Sequence, residues 1–185
     1  MSKIAFLGLG VMGFPMAGHL STKFEVTVYN RTVSKAEKWM NQYTGNLAMT
    51  PAEAAENADF VFSCVGNDDD LRSILLGIDG AIDSMKEGTV FTDHTTCSAK
   101  VTKEMVAYSQ KKGIGFVDAP VSGGQAGAEN GQLTIMCGGA QEHYDRIKPV
   151  ISQYAKFSSL IGPSGSGQLT KMVNQICIAG LLQAL

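Results

Sequence analysis

The residues best suited to chemistry lie on one face of an apolar helix near the end of the sequence. Lys171, Asn174 and Gln175 stand at positions i, i+3 and i+4, which share a helix face. Apolar surroundings disfavour the ammonium form of a lysine, so we expect the pKa of Lys171 to move toward neutrality. Such a lysine can act as the general acid/base of an alcohol–carbonyl interconversion. The alternative is a surface lysine whose ammonium extends into water, the commoner arrangement for a lysine considered alone.

A glycine-rich segment at the start of the sequence could bind a redox cofactor for this reaction. An apolar run over 3–7 leads directly into G-x-G-x-x-G, the pattern of a strand that turns into a helix over a dinucleotide pyrophosphate. The N–H groups and dipole at the start of that helix favour an anion. The residues assigned here to cofactor binding are Gly8, Leu9, Gly10, Val11, Met12 and Gly13. The alternative is a glycine turn that matches the pattern by chance.

The residues after the second predicted strand, 25–29, indicate which dinucleotide is bound. An acidic side chain at this position would bind the ribose 2′-hydroxyl of NAD. The sequence instead has Asn30, Arg31 and Thr32. An amide does not repel a 2′-phosphate, and a guanidinium pairs with one in a fork geometry. These residues therefore favour NADP over NAD, and the alternative is that Arg31 is only a solvated charge.

Two more strand ends are assigned to the cofactor site. Ligands of parallel sheets lie at the carboxyl ends of the strands, so loops at these ends should line one crevice. The candidates beyond the strands at 59–65 and 89–93 are Val65, Gly66, Asn67, Thr95 and Thr96. The two threonine hydroxyls are suited to ribose or nicotinamide. The alternative is that this loop only caps the next helix through Ser98 or its neighbours.

A serine followed by two glycines marks a candidate substrate site. Ser122, Gly123 and Gly124 follow a predicted strand at 115–118. Exposed backbone N–H groups in such a loop can hold a carboxylate. The alternative is a glycine loop needed only for chain reversal.

Strands and helices alternate along the chain, which predicts the elements that position these residues. Predicted strands cover 3–7, 25–29, 59–65, 89–93, 115–118, 132–137 and 156–161. Predicted helices cover 11–21, 34–43, 68–76, 98–112 and 141–154, with a short capped helix after Thr50-Pro51. This alternation predicts an α/β fold, a Rossmann-type doubly wound and mostly parallel sheet.

The segment 162–167 separates this sheet from a last helix. It is rich in glycine and serine and reads as a linker, and an apolar helix follows from Gln168 to Leu185. We therefore predict an NADP-binding domain over 1–162. Residues 163–185 are predicted to form the linker and the first part of a long inter-domain helix.

Composition excludes several other classes. With 185 residues and a net charge of −2, the chain lacks the basic face of a nucleic-acid binder. The four cysteines and three histidines have no ligand spacing, so no metal site is expected. The run Asp68-Asp69-Asp70 is interpreted as a helix start, where carboxylates complement the dipole. Strand-forming sequence from Lys3, reduced cysteines and the absence of a membrane-spanning run predict a cytoplasmic protein.

Three motifs in order resemble the β-hydroxyacid dehydrogenases, the family of 3-hydroxyisobutyrate dehydrogenase and the tartronate, glyoxylate and succinic semialdehyde reductases. They are the glycine segment 8–13 with Pro15-Met16, the run Asp118-Ala119-Pro120-Val121-Ser122-Gly123-Gly124, and Gly165-x-Gly167-x-x-x-Lys171-x-x-Asn174-Gln175. The resemblance covers the whole chain as the N-terminal portion of such an enzyme. The C-terminal helical domain of the family, which closes the site and contributes to dimerisation, is not part of the sequence.

The resemblance implies a role for each motif. Lys171 resembles the catalytic lysine and Asn174 its polar partner, while residues 122–124 resemble the loop that holds the substrate carboxylate. Residues 30–32 resemble the NADP-preferring reductase branch. One departure is Val65-Gly66-Asn67, which stands where many members have Leu-Pro at the nicotinamide edge.

The leading hypothesis is therefore an NADP-dependent oxidoreductase that interconverts a short semialdehyde or 2-oxo acid and its hydroxy acid. Its partners would be a small carboxylate-bearing substrate and, in a full-length protein, further copies of itself, with no nucleic acid or membrane. The chain alone is expected to bind cofactor without useful turnover. The alternatives are a non-catalytic NADP-binding module and an imine reductase on the same fold.

Overall fold

The computed structural model describes residues 2–185, which form one nine-stranded sheet and eight α-helices. The strands are β1 Lys3–Leu7, β2 Glu25–Tyr29, β3 Asn46–Leu47, β4 Phe60–Ser63, β5 Val90–Asp93, β6 Gly115–Asp118, β7 Val121–Ser122, β8 Leu133–Gly139 and β9 Ala155–Gly162. The helices are α1 Gly13–Ser21, α2 Val33–Met40, α3 Pro51–Ala55, α4 Asp68–Leu76, α5 Ala99–Lys111, α6 Gly124–Glu129, α7 Gln141–Ile151 and α8 Ser166–Ala184. A short 3-10 helix covers Ala81–Asp83.

The sheet is doubly wound, as the alternation of elements predicts. Its strand order is β3-β2-β1-β4-β5-β6-β8-β7, with β9 paired to β8. Strands β1 to β6 pair in parallel, whereas β8 runs antiparallel to β6 and β7. The chain winds outward from β1 through β2 to β3, and then returns to the other side of β1 as β4. The switch point, where ligands bind in such sheets, therefore lies between β1 and β4.

The sheet is buried on both faces, which explains why its central strands are continuously apolar. Side chains alternate along β1, so Ile4 and Phe6 belong to one core while Ala5 and Leu7 belong to the other. The first core packs against α1, α2 and α7, and the second packs against α3, α4 and α5. Two rigid layers thus hold the strand ends that carry the candidate site residues.

The sequence-based predictions agree with the main elements and miss the short ones. The hydroxyl of Thr50 accepts a hydrogen bond from the Glu53 N–H at 3.0 Å, which confirms the predicted cap of α3. Ser98 caps α5 in the same way. The strands β3 and β7 and the helix α6 were not predicted, since none is longer than six residues. The predicted helix over 141–154 is too long, because α7 ends at Ile151 with Pro149 inside its last turn.

The predicted linker is a tight turn in the structure. Strand β9 ends at Gly162 and α8 begins at Ser166. The Asp118 carboxylate accepts hydrogen bonds from the Gly165 N–H at 2.7 Å and from the Gln168 N–H at 3.0 Å. The start of α8 is therefore fixed to the end of β6, and the domain division at 162/163 stays a prediction.

From its first turn onward, α8 exposes an apolar surface. The exposed apolar residues of α8 and of the residue after it are Leu169, Met172, Val173, Ile176, Ile178, Leu181, Leu182 and Leu185. Within residues 2–185, no helix is both long enough and apolar enough to span a membrane.

Candidate active site

A cavity of about 370 Å³ lies at the switch point of the sheet. The ends of β1, β2 and β4 and the first turns of the helices that follow them form its wall. The lining residues are Gly8, Gly10, Val11, Met12, Tyr29, Asn30, Arg31, Thr32, Lys35, Cys64, Val65, Gly66, Asp70, Ser73 and Ile74. The structure thus brings together most of the residues assigned to the cofactor from sequence.

The glycine segment shapes one wall of the cavity. Gly8 has φ +102°, a conformation that side chains rarely adopt, and a Cβ on Gly13 would collide with the carbonyl oxygen of Gly8. A Cβ on Gly10 would meet open space, so this position faces the cavity. Within residues 2–185, the N–H groups of Val11 and Met12 have no hydrogen-bond partner. The wall therefore offers free N–H groups at a helix start, as a pyrophosphate requires.

Asn30 joins the glycine segment to the end of β2. Its side-chain oxygen accepts a hydrogen bond from the Leu9 N–H at 2.8 Å, and its amide nitrogen donates to the Thr32 carbonyl at 2.9 Å. The side chain of Leu9 is buried, so Leu9 contributes its backbone to this arrangement. Asn30 thus fixes the shape of the cavity wall in addition to lining it.

The end of the cavity beside β2 carries both signs of charge. Arg31 and Lys35 line it on one side together with Thr32, whose side chain makes no capping bond. Asp70 stands opposite, and its Oδ1 lies 2.7 Å from a guanidinium nitrogen of Arg31. Lys35 was missed from the sequence. The available signal was a lysine in the first turn of the helix after β2, four residues beyond Arg31.

The loops after β4 and β5 are hydrogen-bonded to each other. The Thr95 hydroxyl accepts from the Val65 N–H at 3.0 Å, and Thr95 is buried, so this hydroxyl positions the Val65 loop. Asn67 accepts from the Asp70 N–H at 2.9 Å as the cap of α4 and does not line the cavity. Thr96 is exposed. Contact of Thr95, Thr96 and Asn67 with a cofactor stays a prediction.

A buried carboxylate orders the loop after β5. Asp93 accepts hydrogen bonds from the Ser63 hydroxyl at 2.7 Å and from the Thr95 N–H at 3.0 Å. Burial raises the pKa of Asp93 to about 6, although these hydrogen bonds oppose the shift. The neighbouring Cys97 thiol also contacts this carboxylate, and burial raises its pKa, so the thiol is unreactive.

The predicted substrate loop lies at the start of α6. Ser122 pairs with β8, and Gly123 and Gly124 follow with φ of 131° and 61°. Both glycines are exposed, so their backbone is open to a ligand. His19 at the end of α1 bonds through Nε2 to the carbonyls of α6, with 3.0 Å to Ala128. The helix after the loop is therefore tied to the helix that follows the glycine segment.

Lys171 is buried on α8. It is 8% exposed, and burial lowers the pKa of its ammonium group. Within residues 2–185, its amine has neither a hydrogen bond nor an ion-pair partner. This environment contradicts the alternative of a surface lysine that extends into water.

The helix of Lys171 is held against the loop after β5. One turn before the lysine, Gln168 donates to the Thr95 carbonyl at 2.6 Å and accepts from the Cys97 N–H at 3.2 Å. Residues 168 and 171 share a helix face, so Lys171 continues the surface that borders this loop. The side chain of Asn174 donates to Gln175 at 3.2 Å, so the predicted pairing of Asn174 with Lys171 is not formed here.

No metal-binding group of three histidine, cysteine, aspartate or glutamate side chains occurs within residues 2–185. Each carboxylate of the acidic run has its own partner. Asp68 accepts from the Ser98 hydroxyl, Asp69 pairs with Arg72, and Asp70 pairs with Arg31.

Comparison with known proteins gives the family. Residues 3–172 match the NAD binding domain of 6-phosphogluconate dehydrogenase. The chain belongs to this family. An uncharacterized oxidoreductase of Shewanella frigidimarina is 60% identical to this chain. The match covers all of this chain and 64% of the length of that protein. A probable 3-hydroxyisobutyrate dehydrogenase-like protein of Arabidopsis thaliana is 40% identical, with 55% of its length covered.

Solved structures agree with this assignment. The 3-hydroxyisobutyrate dehydrogenase of Mycobacterium tuberculosis, determined with L-serine, has a TM-score of 0.91 at 29% identity. The match covers 97% of the present NAD-binding chain and 60% of that protein. The predicted Rossmann-type fold and the resemblance to β-hydroxyacid dehydrogenases are therefore confirmed. The chain spans about 55 to 64% of the length of the curated relatives described above.

A second cavity of about 410 Å³ adjoins the glycine segment of the NAD-binding domain on its other side. Residues of α1, α2 and α6 and of the turn after α2 line it, among them Phe14, Glu129 and Tyr43. Lys35 borders both cavities.

Proposed function

We propose that this chain forms the cofactor-binding part of an NADP-dependent oxidoreductase. It interconverts a short semialdehyde or 2-oxo acid and the corresponding hydroxy acid, of the 3-hydroxyisobutyrate, succinic semialdehyde, glyoxylate or tartronate semialdehyde class. The observation that carries the proposal is Lys171, an amine buried without an ion-pair partner in residues 2–185, on a helix fixed to a loop at the ligand-binding edge. The names of the relatives support the same class of substrate.

The cavity supports the cofactor assignment. Free N–H groups at the start of α1 suit the pyrophosphate, and the β2 end offers Arg31, Thr32 and Lys35 to a 2′-phosphate. These groups fit a bound NADP, which supplies or accepts the hydride of the reaction. NAD is the less favoured alternative because no carboxylate follows β2 directly.

The residues of this chain move the proton and orient the substrate. In the reducing direction, Lys171 donates a proton from its ammonium to the carbonyl oxygen; in the oxidising direction, its neutral amine accepts the hydroxyl proton. Burial lowers the pKa of Lys171, which makes its neutral amine easier to form than that of an exposed lysine. The N–H groups of Gly123 and Gly124, with the Ser122 hydroxyl, hold the substrate carboxylate. Asn174 is proposed as a donor to the substrate oxygen once it leaves Gln175.

Burial of Lys171 also favours the proposed dehydrogenase over the two alternative functions. A non-catalytic NADP-binding module gains nothing from an unpaired buried amine, which lowers stability. Imine reduction on the same fold does not call for this lysine. Both alternatives therefore leave Lys171 without an explanation.

Substrates can be identified with a panel of short semialdehydes and hydroxy acids, tested with NADPH, NADH and their oxidised forms. The polypeptide should have the length of the relatives, since the present chain alone is expected to bind cofactor without useful turnover. We expect turnover of one or more panel members, with NADPH preferred. Steady turnover by residues 1–185 alone would contradict the expectation that this chain binds cofactor without useful turnover. Turnover restricted to imines would contradict the proposed reaction.

Oligomerisation and a cytoplasmic location stay predictions. A homo-oligomer is expected for the full-length protein, and light scattering of that polypeptide would measure it.

A further inference from the structure

Asp70 is the carboxylate that faces the ribose end of the cofactor cavity. It lies in the first turn of α4, across the cavity from the end of β2. Its Oδ1 is 2.7 Å from the Arg31 guanidinium, and its side chain is 23% exposed against 81% for Arg31. The more buried partner is thus the acid, and the more exposed partner is Arg31, the residue proposed to hold a 2′-phosphate.

The other two acids of the run do not share this position. Asp68 accepts from the Ser98 N–H at 2.9 Å and from its hydroxyl at 2.6 Å, which ties α4 to α5. Asp69 pairs with Arg72 at 2.9 Å, its side chain is 93% exposed, and it does not line the cavity. All three can complement the dipole of α4, so the dipole does not explain why Asp70 points into the cavity.

A carboxylate at this place acts on the two cofactors in opposite ways. It repels a 2′-phosphate through like charge, and it holds the Arg31 guanidinium that would otherwise pair with that phosphate. Toward NAD it is an acceptor for the ribose 2′-hydroxyl, the role of the acidic residue that this sequence lacks after β2. Asn30 carries no charge, and its oxygen and nitrogen are already bonded to the Leu9 N–H and the Thr32 carbonyl, so it is less suited to that role than a carboxylate.

We propose that Asp70 is a specificity-determining residue that limits the preference for NADP over NAD and preserves binding of both dinucleotides. The inference rests on the proposed function, since it requires the ribose 2′ position to lie beside Arg31. Thr32, just before α2, and Lys35, in its first turn, would act in the opposite sense, because a hydroxyl and an ammonium can both donate to a 2′-phosphate in this cavity.

The test compares Asp70→Asn with Asp69→Asn. Both changes remove one negative charge from the first turn of α4, but only position 70 lines the cavity. Dissociation constants for NADPH and NADH are measured by fluorescence titration of the 185-residue chain at low salt. An exposed ion pair is worth up to about 1 kcal/mol, so we expect Asp70→Asn to lower the dissociation constant of NADPH about fivefold. We expect the same variant to raise the dissociation constant of NADH by a similar factor. Asp69→Asn should change either dissociation constant by less than about twofold.

Arg31→Ala separates failure of this inference from failure of the cofactor proposal. If Arg31→Ala weakens NADPH while Asp70→Asn leaves the NADPH/NADH ratio at the wild-type value, the inference about Asp70 is wrong and the cofactor proposal stands. If Asp70→Asn and Asp69→Asn raise NADPH affinity equally, general charge explains the effect and the inference is also wrong. If Arg31→Ala changes neither constant, the cofactor proposal is wrong, and the inference that rests on it is wrong as well.

Discussion

At Lys171, the proposed function and the stability of the fold make opposite demands on one residue. Its ammonium is 8% exposed and has no ion-pair partner within residues 2–185, so burial costs free energy and lowers its pKa. A lowered pKa is also the direction that favours a lysine as a general acid/base.

Replacement by methionine should therefore stabilise the fold. Lys171→Met keeps the length of the side chain and removes the buried charge, so we expect the free energy of unfolding in urea to rise by about 1 kcal/mol. Lys156→Met on the exposed surface is the control and should change it by less than about 0.5 kcal/mol. Destabilisation by Lys171→Met would mean that the ammonium is compensated in the folded chain.

His94 gives the fold a defined response to acid. The Ala119 carbonyl can only accept, so Nδ1 donates to it at 2.6 Å and Nε2 accepts from the Tyr154 hydroxyl at 2.7 Å. The ring is neutral in this arrangement, and burial lowers the pKa of His94 from 6.5 to about 4. The unfolded chain binds this proton more readily, so the contribution of His94 to stability is complete above pH 6.5 and is lost as the pH falls toward 4.

His94→Asn tests this response, because asparagine retains a donor for Ala119 and does not titrate. We expect the stability advantage of the wild type over the variant to shrink by up to about 3 kcal/mol between pH 7 and pH 4. The measurement is urea unfolding as a function of pH. Asp93, with its pKa raised to about 6, contributes in the opposite sense but does so in both proteins. A constant difference across this range would contradict the assigned role of His94.

At the scale of elements, the position of α8 is set by a residue far away in sequence. Gly165 provides no side-chain cap, and the Asp118 carboxylate at the end of β6 binds the N–H groups of Gly165 and Gln168 instead. Asp118 is buried, and burial raises its pKa although these donors oppose the shift. The strand that leads into the predicted substrate loop thereby fixes the helix of the candidate catalytic lysine.

Loss of this carboxylate should release α8 from the sheet. Asp118→Ala leaves two buried N–H groups without an acceptor, so we expect it to destabilise the chain by about 3 kcal/mol in urea. Asp145→Ala removes an exposed carboxylate that accepts from Gln141 and should cost less than about 1 kcal/mol. Equal losses for the two variants would show that Asp118 does not hold the helix.

At the scale of the whole molecule, local patterns were sufficient for the fold and for the glycine turn that lines the cavity. Apolar strands with glycine turns predict β1, β4 and β5, and the motif around Gly8 predicts the turn over the cavity. Long-range hydrogen bonds were not predictable, because they depend on packing. Asn30 to Leu9 and Asp118 to Gly165 are of this kind. The ion pair between Asp70 and Arg31 likewise forms because β4 lies beside β1 in the sheet. Spacing along the sequence does not reveal this strand order.

We propose that the buried amine of Lys171 transfers the proton in a cofactor-dependent reduction of a short carbonyl acid. The most direct measurement is NADPH oxidation by the polypeptide of family length with its best semialdehyde, for the wild type, Lys171→Met and Lys156→Met. We predict that Lys171→Met lowers kcat by about 10²- to 10⁴-fold with NADPH affinity unchanged, and that Lys156→Met is as active as the wild type. Undiminished reduction by Lys171→Met would contradict the account.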